Sequence, residues 1–72
     1  MVNINKLKGK VVEQGMTIET LAHKIGIDKS TLYRKMNNKG ETFTIKEASL
    51  ICKILNLSGQ EATAIFFSNY VA

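Results

Sequence analysis

Ile18-Glu19-Thr20-Leu21-Ala22-His23-Lys24-Ile25-Gly26-Ile27-Asp28-Lys29-Ser30-Thr31-Leu32-Tyr33-Arg34 is the stretch that decides the fold. Ile18, Leu21, Ala22 and Ile25 recur at helical spacing and form one apolar face. Thr17 stands before them as an N-cap, and Glu19 lies near the positive end of the helix dipole. Gly26 follows at once and allows a backbone turn that a β-carbon would hinder. Ile27 is an apolar plug, and Asp28 caps a second helix over about 29–37. In that helix Leu32 and Met36 make an i, i+4 apolar pair. Ala22 is small where the second helix crosses close above it, and Leu21, Ile25, Ile27 and Leu32 fill the corner between the two. Residues 17–37 therefore predict two short helices about a tight turn. In such a pair the second helix is the one that can enter the major groove of DNA.

Helical signals continue on both sides. Asn3 or Asn5 can cap a helix to about Gln14, with Ile4, Leu7 and Val11 on one face and Gly15 as its stop. After the turn residues Asn37-Asn38-Lys39-Gly40, Thr44-Ile45-Lys46-Glu47 has the form of a capping box. It opens a helix to about Leu55, with Ala48, Ile51, Cys52 and Leu55 as its stripe and Asn56 as its stop. Ser58-Gly59-Gln60-Glu61 repeats the box and opens a last helix to about Phe67. Proline is absent, no alternating strand pattern occurs, and no linker or repeat interrupts the chain. The expectation is an all-α, five-helix chain forming one domain over residues 1–72.

The composition narrows the function. Seventy-two residues with 44% hydrophobic content can build one small core. No apolar run is long enough to cross a membrane. The first residues, Met1-Val2-Asn3-Ile4-Asn5-Lys6, lack the pattern of a signal peptide. Cys52 is the single cysteine, so neither an internal disulfide nor a zinc cluster is expected. The expected setting is cytoplasmic. A chain this short leaves little room for a pocket that encloses a small molecule, so no small-molecule ligand and no cofactor are expected.

Charge points to a partner. Ten Lys/Arg against six Asp/Glu leave a net +4. Residues 1–40 hold eight of the cations and three of the acids, residues 41–72 two and three. Lys29, Arg34, Lys35 and Lys39 cluster with no acid between them. A solvated helix face would produce such a run; so would a surface that meets phosphate.

The quoted stretch resembles the helix-turn-helix of the lambda-repressor-like (Xre/Cro-type) family. Helix order and length extend the resemblance over roughly residues 3–67. Phe43-Thr44-Ile45-Lys46-Glu47-Ala48 and Ile54-Leu55-Asn56-Leu57-Ser58 are similar to short phage and prophage repressor-like proteins of Gram-positive bacteria. The resemblance implies a five-helix lambda-repressor-like DNA-binding domain whose third helix lies in the major groove. It also implies double-stranded DNA as partner and a homodimer on paired half-sites one helical turn apart. Two positions depart from the family pattern. Ile18 stands where a DNA-touching glutamine is common. Lys35 stands where a large apolar residue is common, so Met36 is expected to take over its packing and Lys35 to point outward.

With Leu32 and Met36 facing inward, Lys29, Ser30, Tyr33 and Arg34 project outward together. The resemblance places Lys29, Ser30 and Arg34 at base-contacting positions. Arg34 suits a bidentate contact to guanine. Lys29 either reads guanine or binds phosphate. Tyr33 meets a thymine methyl or a phosphate oxygen, unless its ring lies over the second helix. Thr17, with the amides that open its helix, suits a phosphate as well as a cap. Asn38, Lys39 and Thr42 are placed to grip the opposite strand, and Lys35 is expected to join them. About five such contacts would give a slope of log affinity on log salt of roughly −4 to −5.

The remaining candidates are weaker. His23 is a lone histidine without a second ligand, and no metal or catalytic constellation appears, so the chain does not read as an enzyme. Cys52 sits on an apolar stripe and reads as a small core residue. Residues 58–72 are the candidate dimer contact. Ala62, Ile65 and Phe66 suit one inward face, and Phe67 falls about 100° away. Phe66, Phe67, Tyr70 and Val71 would then carry a two-fold contact, unless the tail folds back over the core. The expected function is a sequence-specific transcriptional regulator, a repressor or a Cro-like antagonist. The rival is an interaction module, an antirepressor or assembly factor, that kept the fold and lost DNA binding.

Overall fold

The structure, a computed structural model, describes residues 2–37 and 43–67. Among the described residues five helices follow in order: α1 (Ile4–Glu13), α2 (Ile18–Ile25), α3 (Lys29–Met36), α4 (Ile45–Ile54) and α5 (Gly59–Phe66). No strand occurs among the described residues. Gln14, Asn37, Leu55 and Phe67, expected as last helical residues, are each the C-cap instead.

Every helix begins with a short polar side chain turned back on its own backbone. Asn3, not Asn5, caps α1 by accepting from Lys6 N at 3.2 Å. Asn3 N also donates to Ile65 O at 2.7 Å, which ties the start of α1 to α5. Thr17 Oγ1 accepts from Thr20 N at 3.1 Å and the Asp28 carboxylate from Ser30 N at 3.0 Å. Both capping boxes close. Thr44 and Glu47 exchange bonds of 3.0 and 2.9 Å, Ser58 and Glu61 bonds of 3.1 and 2.9 Å. Each cap contributes about 1 kcal/mol to a helix otherwise too short to persist.

Three helices end in the same way. Gly15, Gly26 and Asn56 adopt positive φ, at +72°, +79° and +55°. The amide of the next residue then reaches back five positions: Met16 N to Val11 O, Ile27 N to Ala22 O, Leu57 N to Cys52 O. This satisfies carbonyls that a helix end would leave open and folds the following apolar residue inward. Met16, Ile27 and Leu57 accordingly pack against the core.

The core collects Leu7 and Val11 of α1, Leu21, Ala22 and Ile25 of α2, Leu32 and Met36 of α3, Ile51 and Leu55 around α4, and Ile65 and Phe66 of α5. Helix α2 is central and packs on α1, α3 and α4, while α5 packs on α1. Burying each large side chain contributes about 1.5–3 kcal/mol. Ala48 and Cys52, expected on the buried stripe of α4, are only half-buried. At the α1–α5 contact Lys10 bridges Glu13, at 3.3 Å, and Glu61. The Lys10 ammonium, then the Ser58 backbone N–H, hold the Glu61 carboxyl down to about 2.

Two outcomes follow for stability. No heavy atom lies within 4 Å of a β-carbon added at Gly26, so Gly26→Ala strains only the backbone. It should cost about 1–2 kcal/mol in urea unfolding, and Gly26→Asn less. Because the Glu61 pKa is lowered on folding, its contribution is present above the ordinary value of 4.5 and is lost as pH falls toward about 2. Urea midpoints should drop across that window, and Glu61→Gln should flatten the drop.

Candidate nucleic-acid interface

The turn after α2 orients the next helix. Gly26 reverses the chain, Ile27 is drawn inward, and Asp28 starts α3 at once. Leu32 and Met36 then point into the core, as expected, and the opposite side of α3 is left to solvent. Lys29, Ser30, Tyr33 and Arg34 are all exposed on that side. Tyr33 keeps 43% of its surface accessible.

Lys29, Ser30 and Arg34 each have a local partner. Ser30 gives Asp28 both its backbone N–H and its hydroxyl. The hydroxyl and then the backbone N–H hold the Asp28 carboxyl below its usual value. A hydroxyl has one proton, so Ser30 offers outward only acceptor lone pairs. Lys29 Nζ meets Glu19 Oε2 at 3.1 Å, linking the first turns of α3 and α2. The Glu19 hydrogen bond raises the Lys29 pKa, and the ammonium stays charged. Arg34 Nη2 donates to Thr31 Oγ1 at 3.2 Å, one turn back. The N-terminus of α2 lies nearby: Thr17 caps it, and the hydroxyls of Thr17 and Thr20 share a bond of 3.0 Å.

Two sequence expectations are corrected. Lys35 does not point outward. Its side chain is 13% exposed, and Nζ donates to Glu47 Oε1 at 2.9 Å. Position 35 lies between the outer face and the core side of α3, where the first turn of α4 offers a carboxylate. Phe66 is not a surface residue either. It is buried, and its ring meets Phe43 edge-on, with centroids 5.7 Å apart and planes at 87°. Phe67, the C-cap of α5, is 54% exposed. Asn38, Lys39, Thr42, Tyr70 and Val71 lie outside the described residues.

Helical spacing does not reveal Glu19 and Glu47 as partners of Lys29 and Lys35. They lie ten and twelve positions away and come close only when helices pack. A further feature was not expected. An apolar cavity of about 310 Å³ opens between α4 and α5, walled by Val2, Phe43, Ala48, Cys52 and Ala62. Ile45, 88% exposed, and Phe67 stand at its edge. Burial raises the Cys52 pKa and keeps its sulfur a thiol. No group of three or more potential metal ligands gathers among the described residues. None of the described helices is long and apolar enough to cross a membrane.

The charged, hydrogen-bonding side of α3 and the capped start of α2 have the size and donor set to lie against a duplex. No curated protein and no solved structure matches the chain. The family model of the Cro/C1-type HTH DNA-binding domain matches residues 6–62, from α1 into α5. That span is most of the chain and contains the α2–turn–α3 unit, so the protein belongs to the Cro/C1-type helix-turn-helix DNA-binding family.

Proposed function

We propose that the protein is a sequence-specific transcriptional regulator, a phage or prophage repressor or Cro-like protein, that binds an operator in the cytoplasm as a homodimer. The observation that carries this reading is the single exposed side of α3 bearing Lys29, Ser30, Tyr33 and Arg34 beside the α2 N-terminus. Arg34 takes the base-reading role, with a planar guanidinium suited to the O6 and N7 of guanine. Ser30, its proton given to Asp28, accepts from a base amino group. Tyr33 meets a thymine methyl or a phosphate. Lys29 leaves Glu19 for guanine or phosphate; the exchange costs little, because an exposed pair is worth about 0–1 kcal/mol.

Thr17 with the α2 N-terminus serves one phosphate, and Asn38, Lys39 and Thr42 serve others. Lys35 is no longer counted, and neutral donors release no counterions. The expected salt slope is therefore roughly −2 to −3 per monomer, shallower than the sequence count. Phe67, exposed beside the apolar cavity with Ile45, supports a two-fold contact between copies, with Tyr70 and Val71 as further contributors.

The deciding experiment is competition binding. DNA flanking the gene is set against non-specific duplex over a range of salt, and equal affinity for both would sink the operator reading. Salt-insensitive, weak binding would favour the interaction-module reading. Arg34→Ala should lose about 1–3 kcal/mol of operator affinity with non-specific binding less affected; full sequence preference in that variant would remove Arg34 from base reading. Glu19→Gln should free Lys29 and raise affinity for any duplex a few-fold, about the worth of an exposed ion pair. Phe67→Ala should shift sedimentation at micromolar concentration from dimer to monomer without altering cooperative unfolding.

A further inference from the structure

We propose that Lys35 is a positioning residue for DNA reading: through Glu47 it holds the C-terminal end of α3 against the first turn of α4, and so sets the angle of the reading face. The inference rests on the DNA-binding reading of α3 above.

Lys35–Glu47 is the most enclosed ion pair among the described residues, with side chains 13% and 16% exposed. Its anchor is held in place independently of Lys35. Glu47 Oε1 accepts from Thr44 N at 2.9 Å, while Glu47 N donates to Thr44 Oγ1 at 3.0 Å. The capping box thus orients the carboxylate, and Lys35 Nζ adds a charge-assisted bond of 2.9 Å to the same oxygen. The start of α3 is defined by Asp28 and the turn, and its middle by Leu32 in the core. Near its last turn the apolar hold is Met36, a flexible side chain that tolerates small shifts. The directional bond at the neighbouring position restricts those shifts.

Stability alone is a weak reason for the pair. Desolvating two charges offsets much of their attraction, and an apolar pair of similar volume is often as stable. What the pair adds is one preferred geometry. Arg34 is the adjacent residue and Tyr33 the one before it, so a small roll of the last turn of α3 would displace both from a base edge.

The test starts by enriching a preferred duplex from a randomised library with the wild-type protein. Affinity for that duplex and for a scrambled one is then measured over a range of salt for wild type, Lys35→Met, Glu47→Gln, the double variant and Lys35→Arg. Gln at 47 keeps the capping box. Expected is a three- to thirty-fold fall in the ratio of preferred to scrambled affinity, roughly the range of coupling between paired residues. The fall should appear in both single variants, grow no larger in the double, and be largely restored in Lys35→Arg. The salt slope should stay unchanged.

A slope shallower by about 0.9 in Lys35→Met with the ratio intact would make Lys35 a phosphate contact and overturn the proposal. An unchanged ratio with an unchanged slope would overturn it too. If Lys35→Met fails to fold, Glu47→Gln decides: tighter binding to both duplexes with a steeper slope would mark a released phosphate contact. A wild-type protein that enriches no sequence would overturn the operator reading and this inference with it.

Discussion

The structure depends on one left-handed residue between two short helices. With Gly26 at φ +79°, the amide of Ile27 can bond back to Ala22 O, and the chain reverses within a single residue of α2. Ile27 is thereby turned inward and Asp28 becomes the first cap of α3. Leu32 and Met36 then fall over α2 and bury beside Leu21, Ala22 and Ile25. Since one side of α3 is fixed by that burial, the other side has a single direction in which to face. The exposed side of α3 is therefore a consequence of the turn, and α2, packed on three helices, joins it to the rest of the domain.

Charge is arranged more tightly than its arithmetic suggests. The +4 excess reads as a basic patch around α3, yet Lys29 is met by Glu19 and Lys35 by Glu47. The two pairs differ in surroundings. Lys29 and Glu19 are open to water, where attraction is weak and screened, and they exchange partners readily. Lys35 and Glu47 are largely enclosed, and Glu47 belongs to a capping box that orients its carboxylate toward the bond. Two lysines six positions apart on one helix are thus put to different uses by the depth at which each side chain ends.

Much of the fold was legible because its signals are local. Caps at Asn3, Thr17, Asp28, Thr44 and Ser58, the stops at Gly15, Gly26 and Asn56, and apolar residues at helical spacing are written within four or five positions of the structure they cause. The outward side of α3 was legible for the same reason, since Leu32 and Met36 define the side opposite. Lys35 was misread because its environment is made by α4. Phe66 was assigned both to an inward face and to a surface contact; Phe43, more than twenty positions away, covers its ring.

The sequence alone determined five helices, their caps and stops, and which side of the third carries cations and hydroxyls. These follow from backbone hydrogen bonding and from helical periodicity, both short-range. Tertiary structure decided what the periodicity could not express: Glu19 and Glu47 as partners, the cavity between α4 and α5, and the depth of Lys35. Those contacts join residues distant in the chain, and their distances are set by how the helices pack around α2.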